Sequence, residues 1–347
     1  MKLNPSYVLT VLLCLVLSAT AGKVNETVAL SQNASQQKSV NYRKPVPSRS
    51  FRFHYAVIID KLKPKTKTRI WIPLAKSNKH QEVKILEFDL PGTYRRTKEN
   101  KYGNRILYLE ATADERGEIP LEVVYDVTRF QVTLENAPKI EEKDRKQFLK
   151  QNKLVPIDGK PFELLLNGTK PMGAVQDIAR ILYDKVDSHV KYAKPLGGKW
   201  GRGDATWVCD SKYGNCTDFH SLFISLCRTS RIPAKFEIGF PIPTKKGAGK
   251  VGGYHCWAYY AEGKAWRPVD ISEADKHPKM KDFYFGNLTA NRFSFSTGRD
   301  LILEPKQKSG PLNFFIYPHV EVNGEVHKNF QKRFRYRDNS TGMPPSS

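Results

Sequence analysis

From Phe51 to Val132 apolar residues recur at every second position, and this alternation constrains the fold more than any other feature of the 347-residue chain. FRFHYAVIID sets Phe51, Phe53, Tyr55, Val57 and Ile59 on one side of an extended strand, because successive side chains of a strand point to opposite faces. TRIWIPL, EVKILEFDL, NRILYLEAT and PLEVVYDVTRFQV repeat the habit, with Pro64, Pro91-Gly92 and Gly117 as turn residues between them. Short alternating strands at this spacing predict an antiparallel, sandwich-like β domain over residues 51–135.

The period then changes. Residues 136–170 are charged and proline-containing (NAPKIEEKDRKQFLKQNKLVPIDG from Asn136 to Gly159) and read as a linker. Pro171 stands where a helix can start, and Met172, Val175, Ile178, Ala179, Leu182 and Val186 follow at helical spacing. A second helix is predicted from about Thr217 to Arg228, carrying Phe219, Leu222, Phe223 and Leu226, with Pro233 beyond its end. AKFEIGF, YHCWAYY, AWRPVDI and NFFIYPHVEV are strand-like again. The class is therefore α+β: a β domain, then a second domain over 171–337 with a helix packed on antiparallel strands.

Before all of this lies MKLNPSYVLTVLLCLVLSATAG. Lys2, an apolar run from Val8 to Leu17 and the small residues Ala19-Thr20-Ala21 have the form of a signal peptide over 1–21, the run being too short to span a bilayer. Residues 22–50 are polar and without apolar period, as expected of a flexible tether, and 338–347 read as a disordered tail. A secreted or periplasmic location follows, with no transmembrane span. The formal charge of +22 is scattered along the chain. Nothing resembles a groove-reading helix or a stacking platform, so nucleic acid is not expected. The charge reads either as a solvated basic surface with no dedicated partner or, outside the cell, as a surface for an anionic cell-wall polymer or a membrane.

Beyond the leader the cysteines are Cys209, Cys216, Cys227 and Cys256, all within one region. In YGNCTDFHSLF, Asn215 stands at an N-cap position and Asp218 three residues later, close to a capping box. Cys216 then occupies the first helical turn, where unpaired N–H groups and the helix dipole favour a thiolate. Those N–H groups can also donate to an oxyanion. Gly214 lets the chain approach without a side chain beside the sulfur. A nucleophilic thiol needs a base and something to orient that base. If Glu262-Gly263 forms a two-residue turn in YHCWAYYAEGKAWRPVD, His255 lies directly across the hairpin from Asp270. His255, Trp257 and Tyr259 then share a face with Asp270, Pro268 and Trp266. A carboxylate beside an imidazole fixes its tautomer and orientation, although Pro268 requires an edge or an irregularity.

G-x-C-x-D at the head of a helix, H-x-W in a strand and W-x-P-V-D in the next resemble the core of the transglutaminase-like superfamily, with its papain-like fold. The likeness runs through SRIPAKFEIGF and covers roughly Pro171 to Ala274, with Arg231 where a glycine is common. It is closest to an exported bacterial branch in which a β domain precedes the core and segments like FGNLTANRFSFSTGRDL and PLNFFIYPHVEV recur. The resemblance implies Cys216 as nucleophile, His255 as base and Asp270 as its orienter. It implies acyl transfer at an amide bond through a thioester and no cofactor, although calcium assists some relatives. The acceptor is water in a peptidase or amidase acting on protein or wall peptide, and an amine in a cross-linking enzyme. A non-catalytic binding or assembly module on the same fold is the alternative.

His220, one turn below Cys216 on the same helix, points alongside the sulfur rather than across a cleft. Trp200, Trp207 and Tyr192 are either a wall for the acyl group or loop anchors. Zinc is disfavoured, because Cys209, Cys216, His220, Cys227, His255 and Cys256 lack the tight Cys pairs of structural sites. Cys209, taken to lie in a loop, and Cys256, facing away from His255 on its strand, are the pair expected to form a disulfide.

Overall fold

The computed structural model describes residues 47–194 and 198–339. The signal-peptide reading, the tether up to residue 46 and the tail beyond Asn339 lie outside the described residues.

Strands β1 (Ser48–Ile59), β2 (Lys67–Leu74), β3 (Gln81–Asp89), β4 (Tyr94–Lys98), β5 (Arg105–Thr112) and β6 (Ile119–Phe130) come first. Next are α1 (Glu142–Gln147), α2 (Lys160–Leu166), α3 (Val175–His189), β7 (Lys191–Tyr192), α4 (Ala205–Ser211), β8 (Tyr213–Gly214) and α5 (Cys216–Thr229). Then follow β9 (Ala234–Pro241), β10 (Ala248–Lys250), β11 (His255–Glu262), β12 (Ala265–Val269), α6 (Ile271–Lys276) and β13 (Arg292–Thr297). The last strands are β14 (His319–Val322), β15 (Glu325–His327), β16 (Phe330–Lys332) and β17 (Arg335–Asp338).

β1 behaves as its alternation requires: Phe51, Phe53, Tyr55, Val57 and Ile59 are buried and the residues between them are not. It pairs antiparallel with β6 over its full length, from Ser48 opposite Phe130 to Ile59 opposite Ile119. The first sheet has the order β10-β17-β1-β6-β3, with β16 also on β1, and the second β15-β14-β2-β5-β4. Both are therefore completed by strands from the end of the chain. The sequence grouped these strands with residues 171–337, because alternation reports which face is buried but not which distant strand is the partner. The tether likewise ends earlier than expected, since β1 begins at Ser48.

The third sheet, β12-β11-β9-β13, is antiparallel and carries α5 against it. Gly239 allows β9 and β13 to approach, since a Cβ there would meet the Phe293 carbonyl oxygen at 1.9 Å. The sheets share one core. Phe53 of β1 lies 5.1 Å from Phe240 of β9, and Phe240 lies 4.6 Å from Phe334, between ring centroids.

Three elements differ from the sequence reading. α3 starts at Val175 rather than at Pro171, because Gly173 takes φ +135° and Met172 is 93 % exposed. Cys209 lies in a helix, α4, capped by Asp204, whose side chain accepts from the Trp207 N–H. The stretch 136–170 holds α1 and α2, buries Phe148 and Val155 and docks on α5. The Phe148 carbonyl accepts from Arg228 Nε, and Ser225 Oγ donates to the Pro156 carbonyl.

Candidate active site

α5 is buried along its whole length, so polar groups at its head must be satisfied within the protein. Asn215 caps it: its side-chain oxygen accepts from the Thr217 N–H at 2.8 Å. Asp218 completes the capping box, and its Oδ2 accepts from the Asn215 N–H at 2.9 Å. The same carboxylate accepts from Gly201 N–H and Gly203 N–H, both at 2.8 Å, tying the preceding loop to the helix head. Burial, against these donors, raises its pKa to about 6. A Cβ on Gly214 would lie 2.5 Å from Asp218 Cβ, so glycine is needed there to make room for the cap. Among the described residues no acceptor engages the Cys216 N–H, which is left as the free donor at the helix head.

The hairpin expected to bring His255 to Asp270 forms with its turn one residue later. Glu262 pairs with Ala265 and Ala258 with Val269, and Gly263, at φ +53°, holds the first turn position, as a primed two-residue turn allows. The register thus slips by two, which preserves faces. Tyr259 is opposite Pro268 and Ala261 opposite Trp266. Asp270 falls just past β12, as the N-cap of α6, and reaches His255 from there. His255 Nε2 donates to Asp270 Oδ2 at 2.7 Å. The other oxygen, Oδ1, accepts from Ser272 Oγ at 3.0 Å and Glu273 N–H at 3.1 Å.

Cys216 adjoins this pair and is 2 % exposed. Burial alone would raise its pKa. Hydrogen bonds with Cys256 and His255 and the charge of His255 outweigh it and hold the thiol well below an ordinary cysteine. Burial likewise opposes the charged imidazole, but the Asp270 carboxylate and the Cys216 sulfur lift His255 to about 9. Asp270 is driven far below the usual carboxylate range despite its burial, by His255 and Arg292. With Nε2 committed to Asp270, the ring's other nitrogen is the one available to the sulfur. The arrangement sets a thiol, an imidazole and a carboxylate side by side, with surroundings that favour the thiolate and the imidazolium.

His220 is not aimed at the sulfur. Its Nε2 accepts from the Ile271 N–H at 3.1 Å, and burial lowers its pKa to about 4. The expected Cys209–Cys256 bridge is not formed, and Cys209, Cys216, Cys227 and Cys256 are all free and buried. Cys256 points from β11 at the first turns of α5, 3.8 Å from Thr217 Oγ1 and 3.7 Å from His220 Nδ1. Cys209 sits in α4, where burial pushes its thiol up to about 12 and its carbonyl accepts from His189 Nε2. The two thiols serve different contacts. Trp200 is a loop anchor, its Nε1 donating to the Ala193 carbonyl at 2.8 Å, and Tyr192 stacks beneath Lys276 Nζ at 3.8 Å.

Two neighbours escaped the sequence reading. The Tyr254 hydroxyl lies 3.0 Å from Asn215 Nδ2 and 3.1 Å from Thr217 Oγ1, over the helix head. Its position directly before His255 was the only available clue. Arg292 is buried, with Nη1 2.6 Å from Asp270 Oδ2 and its guanidinium over the Trp257 ring. Nothing in NRFSFST separates this arginine from the other cations among 57 lysines and arginines.

Comparison with known proteins bears on the family and the fold. The profile of the Transglutaminase-like superfamily matches residues 164–271. An uncharacterized protein of Haemophilus influenzae is 27 % identical over 319 residues, covering 78 % of this chain and 85 % of its own. In fold, the chain is similar to a proposed cysteine protease from Cytophaga hutchinsonii, with a TM-score of 0.54 at 16 % identity. That match covers 86 % of this chain and 93 % of the other. The periplasmic domain of TgpA from Pseudomonas aeruginosa also matches, at 13 % identity and a TM-score of 0.30, over 64 % of this chain and 92 % of that one. The helix that carries Cys216 and the hairpin that carries His255 both lie within the stretch that matches the transglutaminase-like superfamily.

Proposed function

We propose that this chain is an exported, cysteine-dependent enzyme that cleaves amide bonds of a protein or peptide through Cys216, His255 and Asp270. The observation that carries the reading is the buried 2.7 Å bond between His255 and Asp270 beside a thiol at a helix head. The Cys216 thiolate attacks the carbonyl carbon, and the oxyanion that forms meets the free Cys216 N–H at the positive end of α5. The His255 proton passes to the departing amine as the C–N bond breaks, leaving a thioester. A water molecule then loses its proton to His255 and attacks the thioester, which releases the acid and restores the thiolate. Water is the simplest acceptor, since it needs no second binding site. Export rests on the form of residues 1–21.

The test is to incubate the mature protein with denatured protein and peptide mixtures, with and without an added primary amine, and follow the products by mass spectrometry. New carboxylates that need Cys216, and a Cys216-linked acyl adduct trapped by acid quenching, are expected. Amine incorporation in place of carboxylates would assign cross-linking instead. Absence of any adduct or product across such mixtures counts against catalysis.

A further inference from the structure

The Asp270 oxygen that binds the imidazole is the same one that binds Arg292. His255 Nε2 is 2.7 Å and Arg292 Nη1 2.6 Å from Oδ2, while Oδ1 is held by Ser272 and Glu273 N–H. Arg292 begins β13, two strands away from β11 across the sheet, and its carboxylate partner begins α6. Two cations on one buried oxygen is not an arrangement that orienting the imidazole requires, since one carboxylate suffices for that. A second cation there drains negative potential from the oxygen that faces the imidazole, and it lies close enough to repel the imidazolium directly.

We infer that Arg292 is a positioning residue that sets the basicity of His255 by sharing Asp270 Oδ2 with it. The inference rests on the Cys216–His255–Asp270 reading. An imidazolium held too firmly by a buried carboxylate would not give its proton to the leaving amine, and general acid catalysis is best when the acid titrates near the working pH. Arg292 limits that hold. Its aromatic neighbours, Trp257 and Tyr284, lie 5.2 and 5.8 Å from the guanidinium and keep it on its side of the carboxylate. The other charged or titratable groups around the pair are Cys216 and His220 from α5, Cys256 from β11 and Glu273 and Lys276 from α6. Tyr183 of α3 and Tyr284 also face Asp270. Among the described residues only Arg292 adds a permanent cation within ion-pair distance of Asp270.

The test is the titration of the His255 imidazole, followed by NMR and assigned by its loss in His255→Gln, in wild type, Arg292→Lys and Arg292→Gln. Each variant is checked for fold by circular dichroism. Arg292→Gln is expected to raise the His255 midpoint by roughly one pH unit. Arg292→Lys, whose shorter arm draws the charge back from Oδ2, should give a smaller rise, so that the order is wild type, Lys, Gln. The Lys variant alone suffices if Gln does not fold. An unmoved midpoint in either folded variant overturns the inference while leaving the triad intact. A wild-type His255 that titrates as an ordinary histidine, with no readily ionised thiol, overturns the triad and the inference together.

Discussion

A thiol, an imidazole and a carboxylate are ordinary groups, and their surroundings move all three away from their ordinary titration. Cys216 is buried yet acidified, His255 is buried yet basic, and each shift has the other partner among its causes. This mutual dependence gives two expected outcomes. Cys216→Ala should remove all turnover, while His255→Ala should return the Cys216 thiol towards its ordinary value, because burial then acts without the His255 charge and hydrogen bond against it. Stability should also carry the signature of His255. Its folded pKa, about 9, exceeds the unfolded value near 6.5. The stabilisation is therefore complete below about 6.5 and is lost as the pH rises through about 9. Melting temperatures of wild type should fall across that window more than those of His255→Gln. Equal slopes would show that the imidazolium is not stabilised by the fold.

At the scale of elements, the head of α5 is the part most readable from sequence. Asn215, Asp218 and Gly214 each do locally what local rules predict, because capping is decided within four residues. The register of the β11–β12 hairpin was less readable, since Glu262-Gly263 and Gly263-Lys264 are both acceptable turns and only tertiary packing chooses between them. A slip of two keeps every side chain on its face, so the His255–Asp270 contact survived an incorrect pairing. Arg292 and Tyr254 were not readable, because a partner in a distant strand leaves no periodic mark. Two outcomes belong here. Asp218→Ala removes the cap and leaves the Gly201 and Gly203 N–H groups unpaired, and should cost about 2–4 kcal/mol in urea unfolding. Asp218→Asn, which keeps an acceptor, should cost less. His220, with its folded pKa lowered to about 4, contributes stability above 6.5 that is lost as the pH falls towards 4. His220→Gln should flatten that acid limb, and an unchanged limb would show that His220 is not the group responsible.

For the whole molecule, the strands from the end of the chain decide the architecture. β17 and β16 pair with β1, β14 with β2, and Phe334 lies among Phe53, Tyr55, Phe240 and Tyr317. Arg49 of β1 ties the same end, donating to Asp338, Asn291 and the Pro243 carbonyl. The first β layers and the sheet under α5 are therefore expected to unfold together. Phe334→Ala should cost about 3–5 kcal/mol and shift a single transition, seen alike by tryptophan fluorescence and far-ultraviolet circular dichroism. Two separated transitions would show that the layers are energetically independent. The alternating strands and the α+β class were legible because burial imposes period two on each strand. The closing of two sheets by the last strands was not, since pairing over such sequence distance depends on the assembled core.

All of this architecture brings one thiol to one imidazole, and the direct measurement is of that thiol. The mature protein is labelled with iodoacetamide from acid to neutral pH, and the modified cysteine is identified by peptide mapping in wild type and His255→Ala. The account predicts rapid labelling confined to Cys216, well below the pH at which an ordinary cysteine reacts, and loss of that fast phase in His255→Ala. Labelling of Cys216 that follows an ordinary thiol, or that is indifferent to His255, would contradict it.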